Sequence, residues 1–338
     1  MRSLRFCPYD EATDPNVVVD GSPNPATVLT ISHWPGLGAP PDLWADTSAE
    51  MVLRYLDAGG DRHGDAELVT NNHFDQDGLT SIFALVDPAA ALERRTLLAD
   101  LARAGDFATY RDRRAARASM AISALTDADR SPVGADAFAG DYGHLCAALY
   151  EAALGLLVEL LDEPERFRRL WKEEDEELTA AEAALADGSV DVREIGDIDF
   201  AVIRIDDAAP GGGGHRFGGR RADGLHPMAL HQATSCSRLL VARGDRYTYT
   251  DRYETWVQYR SRPLPRRIDL APVAAELSAD EQDGAVWQAA PPSELTPELR
   301  TVDGAPSSLA FDTVAAIVER WLRTAPPAWD PYDTDGRS

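Results

Sequence analysis

Short apolar runs separated by polar, proline- and glycine-rich connections make up the first third of the chain. After a lead rich in Pro, Asp and Asn, Ala26 to Ser32 (ATVLTIS) has the length of a buried strand and enters a loop at His33-Trp34-Pro35-Gly36. A helix is expected over Ser48 to Leu56, then a second strand over Glu67 to Asn72 (ELVTNN). An apolar segment, Leu79 to Val86, follows and is stopped by Pro88. Leu92 to Ala104 has amphipathic helical spacing and ends at Gly105, read as a helix C-terminal glycine. Strands alternating with helices predict an α/β layered domain built on a doubly wound, mainly parallel sheet.

The pattern then changes. His144 to about Leu185 is rich in Ala, Leu and Glu and reads as helix interrupted near Pro164. Phe200 to Ile205 (FAVIRI) reads as a strand, and Ala208 to Gly224 as a loop of glycine and arginine. Leu239 to Tyr259 reads as a hairpin turning at Arg243-Gly244-Asp245, with Tyr247, Tyr249 and Tyr253 on one face. The expected organisation is an α/β domain over 1–143, a helical connector over 144–190, a smaller α+β domain over 191–325 and a mobile tail over 326–338.

Charge narrows the partners. The 338 residues carry a net charge of −24, which opposes association with long nucleic acids or anionic membrane and leaves room for a small phosphorylated substrate. Cys7, Cys146 and Cys236 are odd in number and have no metal-ligand spacing, the usage of a reducing compartment. The N-terminus lacks an apolar leader core and no run approaches membrane-span length, so a soluble cytoplasmic protein is expected. Lys172, in the acidic run KEEDEE, is the single lysine, so lysine chemistry is nearly excluded.

The densest chemistry lies in Asn71 to Ser81, NNHFDQDGLTS. Strand geometry with a period of two would put His73, Asp75 and Asp77 on one side at a strand terminus, where ligands of open α/β sheets bind. Imidazole and carboxylate donors suit Mn²⁺ or Mg²⁺. An EF-hand loop is excluded, because His73 and Ala84 stand where acids are required. An aspartyl-phosphatase pattern of the haloacid-dehalogenase type would use Asp75 as nucleophile and Asp77 as acid/base. It would want a wholly apolar strand before Asp75 and a later lysine, and the chain offers Asn71-Asn72-His73-Phe74 and only Lys172.

His73-x-Asp75-x-Asp77-Gly78-x-x-Ser81 resembles the first motif of the DHH phosphoesterase superfamily. The resemblance covers about a dozen residues and implies a doubly wound domain holding two Mn²⁺ or Mg²⁺ ions, with a smaller substrate domain behind it and His73, Asp75 and Asp77 as metal ligands. Asp106 is the nearest match to the family's second motif. The Asp-His-His motif itself is absent, and Asp141 and His144 form the nearest Asp/His pair. Gly211 to His215 (GGGGH) is similar to the family's substrate loop, although Arg216-Phe217 replaces the small residues that follow.

His33 is a further candidate ligand because it also ends a strand. Arg216, Arg220 and Arg221, with Arg252, Arg260, Arg262, Arg266 and Arg267, concentrate basic charge in an acidic chain, and His215, Arg216 and Arg252 are candidate phosphate contacts. The expected activity is metal-dependent cleavage of a phosphoester or phosphoanhydride in a nucleotide, short oligonucleotide or polyphosphate. A non-catalytic binding or regulatory protein on the same fold is the alternative.

Overall fold

A computed structural model describes residues 2–37, 39–211 and 224–333 of the chain. The chain divides into two compact units, residues 1–176 with 259–261, and residues 177–258 with 262–338.

The first unit contains β1 (Arg5–Phe6), β2 (Asn16–Val19), β3 (Thr27–Ile31), α1 (Ser48–Asp57), β4 (Leu68–Thr70), α2 (Gln76–Val86), α3 (Pro88–Glu93), α4 (Arg95–Asp106), α5 (Arg113–Leu125), α6 (Ala135–Ala139) and α7 (Tyr142–Asp162). The strands form one sheet in the order β1-β4-β2-β3, with every pair parallel. Val17, Val18 and Val19 are fully buried, as expected of a strand covered on both faces. β2 passes to β3 through residues 20–26 without an intervening helix. Because all four strands run the same way, the loops after β2, β3 and β4 leave the same edge of the sheet.

Local chemistry fixes the helix starts at that edge. Thr47 caps α1 by accepting from the Glu50 amide at 3.2 Å, and Glu50 accepts from the Thr47 amide at 3.3 Å, a reciprocal box that satisfies two end donors. Asp75 caps α2 by accepting from the Gly78 amide at 2.8 Å. Gly105 does not end a helix. It lies inside α4, where an added Cβ would meet Gln76 Cβ at 2.6 Å, so it lets α4 cross α2 closely.

The expected connector over 144–190 is divided differently. α7 packs against α2 and α5 within the first unit, burying Cys146, Leu149, Tyr150, Ala153, Leu157, Leu160 and Leu161. The unit boundary falls inside α8 (Arg168–Asp187). By length and composition α7 could cross a membrane, contrary to the expectation from sequence, and one face of it is buried against α2 and α5.

The second unit contains β5 (Val190–Ile195), β6 (Phe200–Ile205), α9 (Pro227–Ala233), β7 (Arg238–Arg243), β8 (Arg246–Asp251), β9 (Arg267–Ile268), α10 (Ala271–Asp280), β10 (Trp287–Ala289), β11 (Glu298–Thr301), α11 (Phe311–Thr324) and β12 (Pro327–Trp329). Its main sheet has the order β10-β11-β8-β7-β6-β5 and is antiparallel except for β6 with β7. The expected hairpin turns at Gly244, whose φ of 58° favours glycine. Tyr247 and Tyr249 pack into the core under α10 and α11, so they cannot stack on a base. The tail is in part a strand, because β12 pairs with β9.

A buried polar network ties the end of this sheet. Arg267 donates from Nε to Thr255 Oγ1 at 2.7 Å and from its two Nη atoms to the carbonyls of Pro292 at 2.9 Å, Leu295 at 2.8 Å and Glu294. Burial pulls Arg267 down to about 10 against the charge of Asp251. Arg267→Ala would strand these carbonyls and remove one of the two positive charges near buried Asp251. A loss of about 3–5 kcal/mol in denaturant unfolding is expected, and a loss below about 1 kcal/mol would contradict this account.

Candidate metal centre

The strand edge described above collects six acidic and imidazole side chains in the first unit. Asp20 follows β2, His33 follows β3, and His73 and Asp75 lie in the loop after β4. Asp77 sits in the first turn of α2, and Asp106 is the last residue of α4. Of the six, Asp20, His33, Asp77 and Asp106 are almost completely buried.

Asp20 stands at the centre and presents its two oxygens to two different partners. Oδ1 lies 3.4 Å from His33 Nε2, and Oδ2 lies 3.4 Å from His73 Nε2. His33 Nε2 is also 3.8 Å from Asp77 Oδ2 and 3.5 Å from Asp106 Oδ2, while His73 Nε2 is 3.0 Å from Asp75 Oδ2. Two groups capable of holding a cation result, Asp20-His33-Asp77 and Asp20-His73-Asp75, with the ligand atoms of each group within 4.8 Å of one another. Asp20 belongs to both. Its φ of 49° is a left-handed conformation, a local strain retained where the surroundings impose it.

The neighbours orient these groups. His33 Nδ1 is 2.7 Å from the carbonyl oxygen of Asp46, which can only accept, so Nδ1 carries the proton. Nε2 then faces three carboxylates, the orientation that a second contact commonly imposes on a ligating histidine. Asp46 is held in turn by the Arg260 amide at 2.8 Å, the Ser261 amide at 2.7 Å and Arg103 Nη2 at 2.8 Å. On the other side, His73 stacks on Trp34 with centroids 5.1 Å apart, and its carbonyl accepts from Tyr150 Oη at 2.8 Å.

Electrostatics marks the cluster as unfavourable without a cation. Burial, then the charges of Asp77 and Asp75, push Asp20 well above the usual carboxylate range. Burial and the Asp75 charge push Asp77 up to about 7, although the Ala49 and Ser48 amides at the start of α1 each donate to it at 2.7 Å. Burial opposes charge on His73 too, yet Asp75 and Asp20 raise it well above its ordinary value. Burial would raise Asp75, but the His73 charge together with hydrogen bonds to His73, the Gly78 amide and Asp20 outweighs it and holds Asp75 low. Protonation relieves part of the repulsion, and a divalent cation would relieve more of it. The residues therefore fit a bound metal.

His33, His73, Asp75, Asp77 and Asp106 thus converge, although not as one strand would arrange them. β4 ends at Thr70, so a loop and a helix start bring His73, Asp75 and Asp77 together. Asp77 reaches back to cap α1, whereas α2 is capped by Asp75. Asp141 and His144 are outside both groups, since the exposed Asp141 caps α7 by accepting from the His144 amide at 2.8 Å. Arg252 is no phosphate contact. It is 4% exposed, paired with Glu254, and donates to the carbonyl of Thr234 at 3.1 Å. His215 and Arg216 lie outside the described residues.

Asp20 is the residue that sequence reasoning missed. Its signal was present as the β-branched run Val17-Val18-Val19 ending in Asp20-Gly21, a buried strand delivering an acid to a tight turn.

The pattern of the family described as "Family of unknown function (DUF6687)" matches residues 2–333. The chain belongs to DUF6687. A search of the curated proteins found no match. The match takes in both units, so the DUF6687 region includes every residue of the cluster.

Two outcomes are expected. In the metal-free DUF6687 chain, the raised carboxyl of Asp77 binds its proton more tightly when folded. Its stabilising contribution is therefore complete below 3.8 and lost as pH rises through about 7. Metal needs the deprotonated groups, so the melting gain with Mn²⁺ over EDTA should grow with pH, by about 5 °C or more at pH 8 and far less at pH 5. An equal gain at both would count against the cluster as the site. Separately, Asp20→Asn removes like-charge repulsion. It should raise the metal-free melting temperature by about 2 °C or more while abolishing the metal-induced gain, and a retained gain would exclude Asp20 as a ligand.

Proposed function

We propose that the protein is a divalent-metal-dependent phosphoesterase or phosphohydrolase acting on a small phosphorylated substrate, with Mn²⁺ or Mg²⁺ as its ions. The observation that carries this reading is Asp20, whose opposite oxygens face two separate His/Asp groups. A carboxylate so placed suits two cations sharing one ligand. The donors are carboxylate and imidazole, which fits hard ions rather than thiolate-loving ones. Such a pair, when bound, polarises a phosphoryl oxygen and lowers the pKa of water.

The chain's own groups have distinct tasks in this reading. His33 is held in one tautomer by the Asp46 carbonyl, so its Nε2 offers a lone pair inward. The backbone amides at the start of α1 fix the Asp77 carboxyl group and favour the charged form it needs as a ligand. His73 must release its proton to ligate, with Asp75 directing the ring. The strand-edge position supports the resemblance of His73-Phe74-Asp75-Gln76-Asp77-Gly78 to DHH phosphoesterases, and we assign the second unit as the substrate domain on that resemblance. The aspartyl-phosphatase alternative loses ground, because both oxygens of Asp75 are engaged, by the Gly78 amide and by His73.

A non-catalytic metal-binding protein is the second reading, favoured by the two amides that already occupy Asp77. Hydrolysis assays separate the two. With Mn²⁺ present, turnover of p-nitrophenyl phosphoesters or dinucleotides is expected, falling by about 100-fold or more in each of Asp20→Ala, Asp75→Ala and Asp77→Ala. Activity that survives all three substitutions would sink the proposal, and metal binding without turnover would favour the second reading.

A further inference from the structure

A pocket of about 230 Å³ opens in the first unit beside the loop that carries His73 and Asp75. Its lining includes Tyr9, Tyr142, Tyr150, Asp10 and Asn71, and no lining side chain among the described residues is cationic. Tyr9 Oη donates to the Ser22 carbonyl at 3.0 Å, and Tyr150 Oη donates to the His73 carbonyl at 2.8 Å. Two of the three phenol rings are thereby fixed, and Tyr142, 59% exposed, completes the aromatic lining.

Asn71 forms part of the pocket wall. Asn71 is 2% exposed, its Oδ1 accepts from the His73 amide at 3.1 Å, and its Nδ2 makes no hydrogen bond. The Oδ1 contact fixes which end of the amide is nitrogen. Nδ2 lies against Gly78, where an added Cβ would meet it at 2.4 Å and Tyr150 Oη at 2.5 Å, so glycine at 78 keeps this wall open. Across the lining, the Asp10 carboxylate sits at the first turn of α7, close enough that a Cβ at Gly143 would meet its Oδ2 at 2.2 Å. It offers an acceptor.

We propose that this pocket binds the nucleobase of a nucleotide substrate, resting on the phosphoesterase reading for the identity of the whole ligand. The faces of Tyr9 and Tyr142 take a planar ring, and Asp10 takes an amino donor. The absence of a cation and the presence of Asp10 exclude phosphate from the pocket. The volume is below the about 300–1,000 Å³ of whole-ligand clefts, so the pocket takes one base and not a dinucleotide. The walls at Asn71 and Tyr150 touch the His73 peptide, so a base held there brings its phosphate end toward the metal centre.

The probe is adenosine, titrated calorimetrically against the full chain in EDTA, so that neither a phosphate nor a metal contributes. Saturable binding is expected, with AMP binding no more tightly. Tyr142→Ala, an exposed position, should weaken binding by about tenfold or more, and Asp10→Asn should weaken it measurably. No saturation up to about 10 mM adenosine, or unaltered binding in both pocket variants, would overturn the proposal. Adenosine binding in a chain that hydrolyses nothing would uphold the pocket and fail the phosphoesterase reading alone.

Discussion

Carboxylates resist burial beside one another, and four of them meet around His33 and His73 at one edge of a parallel sheet. The rest of the first unit is arranged around that repulsion. Asp20 leaves β2 in a left-handed conformation, Asp77 is held by the amides at the start of α1, and His33 is locked by the Asp46 carbonyl. A protein seeking only stability would place apolar groups there, since removing both partners of a buried charge pair is often neutral or stabilising. Retaining the charges suits a cluster that could hold a cation.

The supporting contacts show how such a site is kept rigid. Asp46 joins Arg103, Ser261 and the amide of Arg260, so a short segment distant in sequence steadies the residue that orients His33. Gly78 and Gly105 permit the close approaches that place α2 between α4 and α7. α2 carries Asp77 and α4 ends in Asp106. The positions of both carboxylates therefore depend on those two contacts.

How much of this was legible in the sequence follows from locality. The run Asn71 to Ser81 announced itself because three candidate ligands lie within five residues, and β3, β4, α1 and the β7–β8 hairpin follow from apolar spacing. Asp20 escaped because it sits in a polar, proline-rich lead, and only the pairing of β2 between β4 and β3 reveals where its side chain goes. His73, Asp75 and Asp77 do not lie on one strand face with a period of two, since the strand stops at Thr70 and a loop and a helix start bring them together. Arg252 misled because buried arginine and phosphate-binding arginine are identical in sequence. Only its carbonyl and Glu254 contacts distinguish them.

In the proposed reading, Asp20 is shared between two cations. Anomalous diffraction from crystals grown with Mn²⁺ tests it most directly. Two manganese peaks about 3.5–4 Å apart are predicted, one bound to each oxygen of Asp20, with His33 and His73 on opposite sides. A single peak away from Asp20, or no peak at the cluster, would contradict the account.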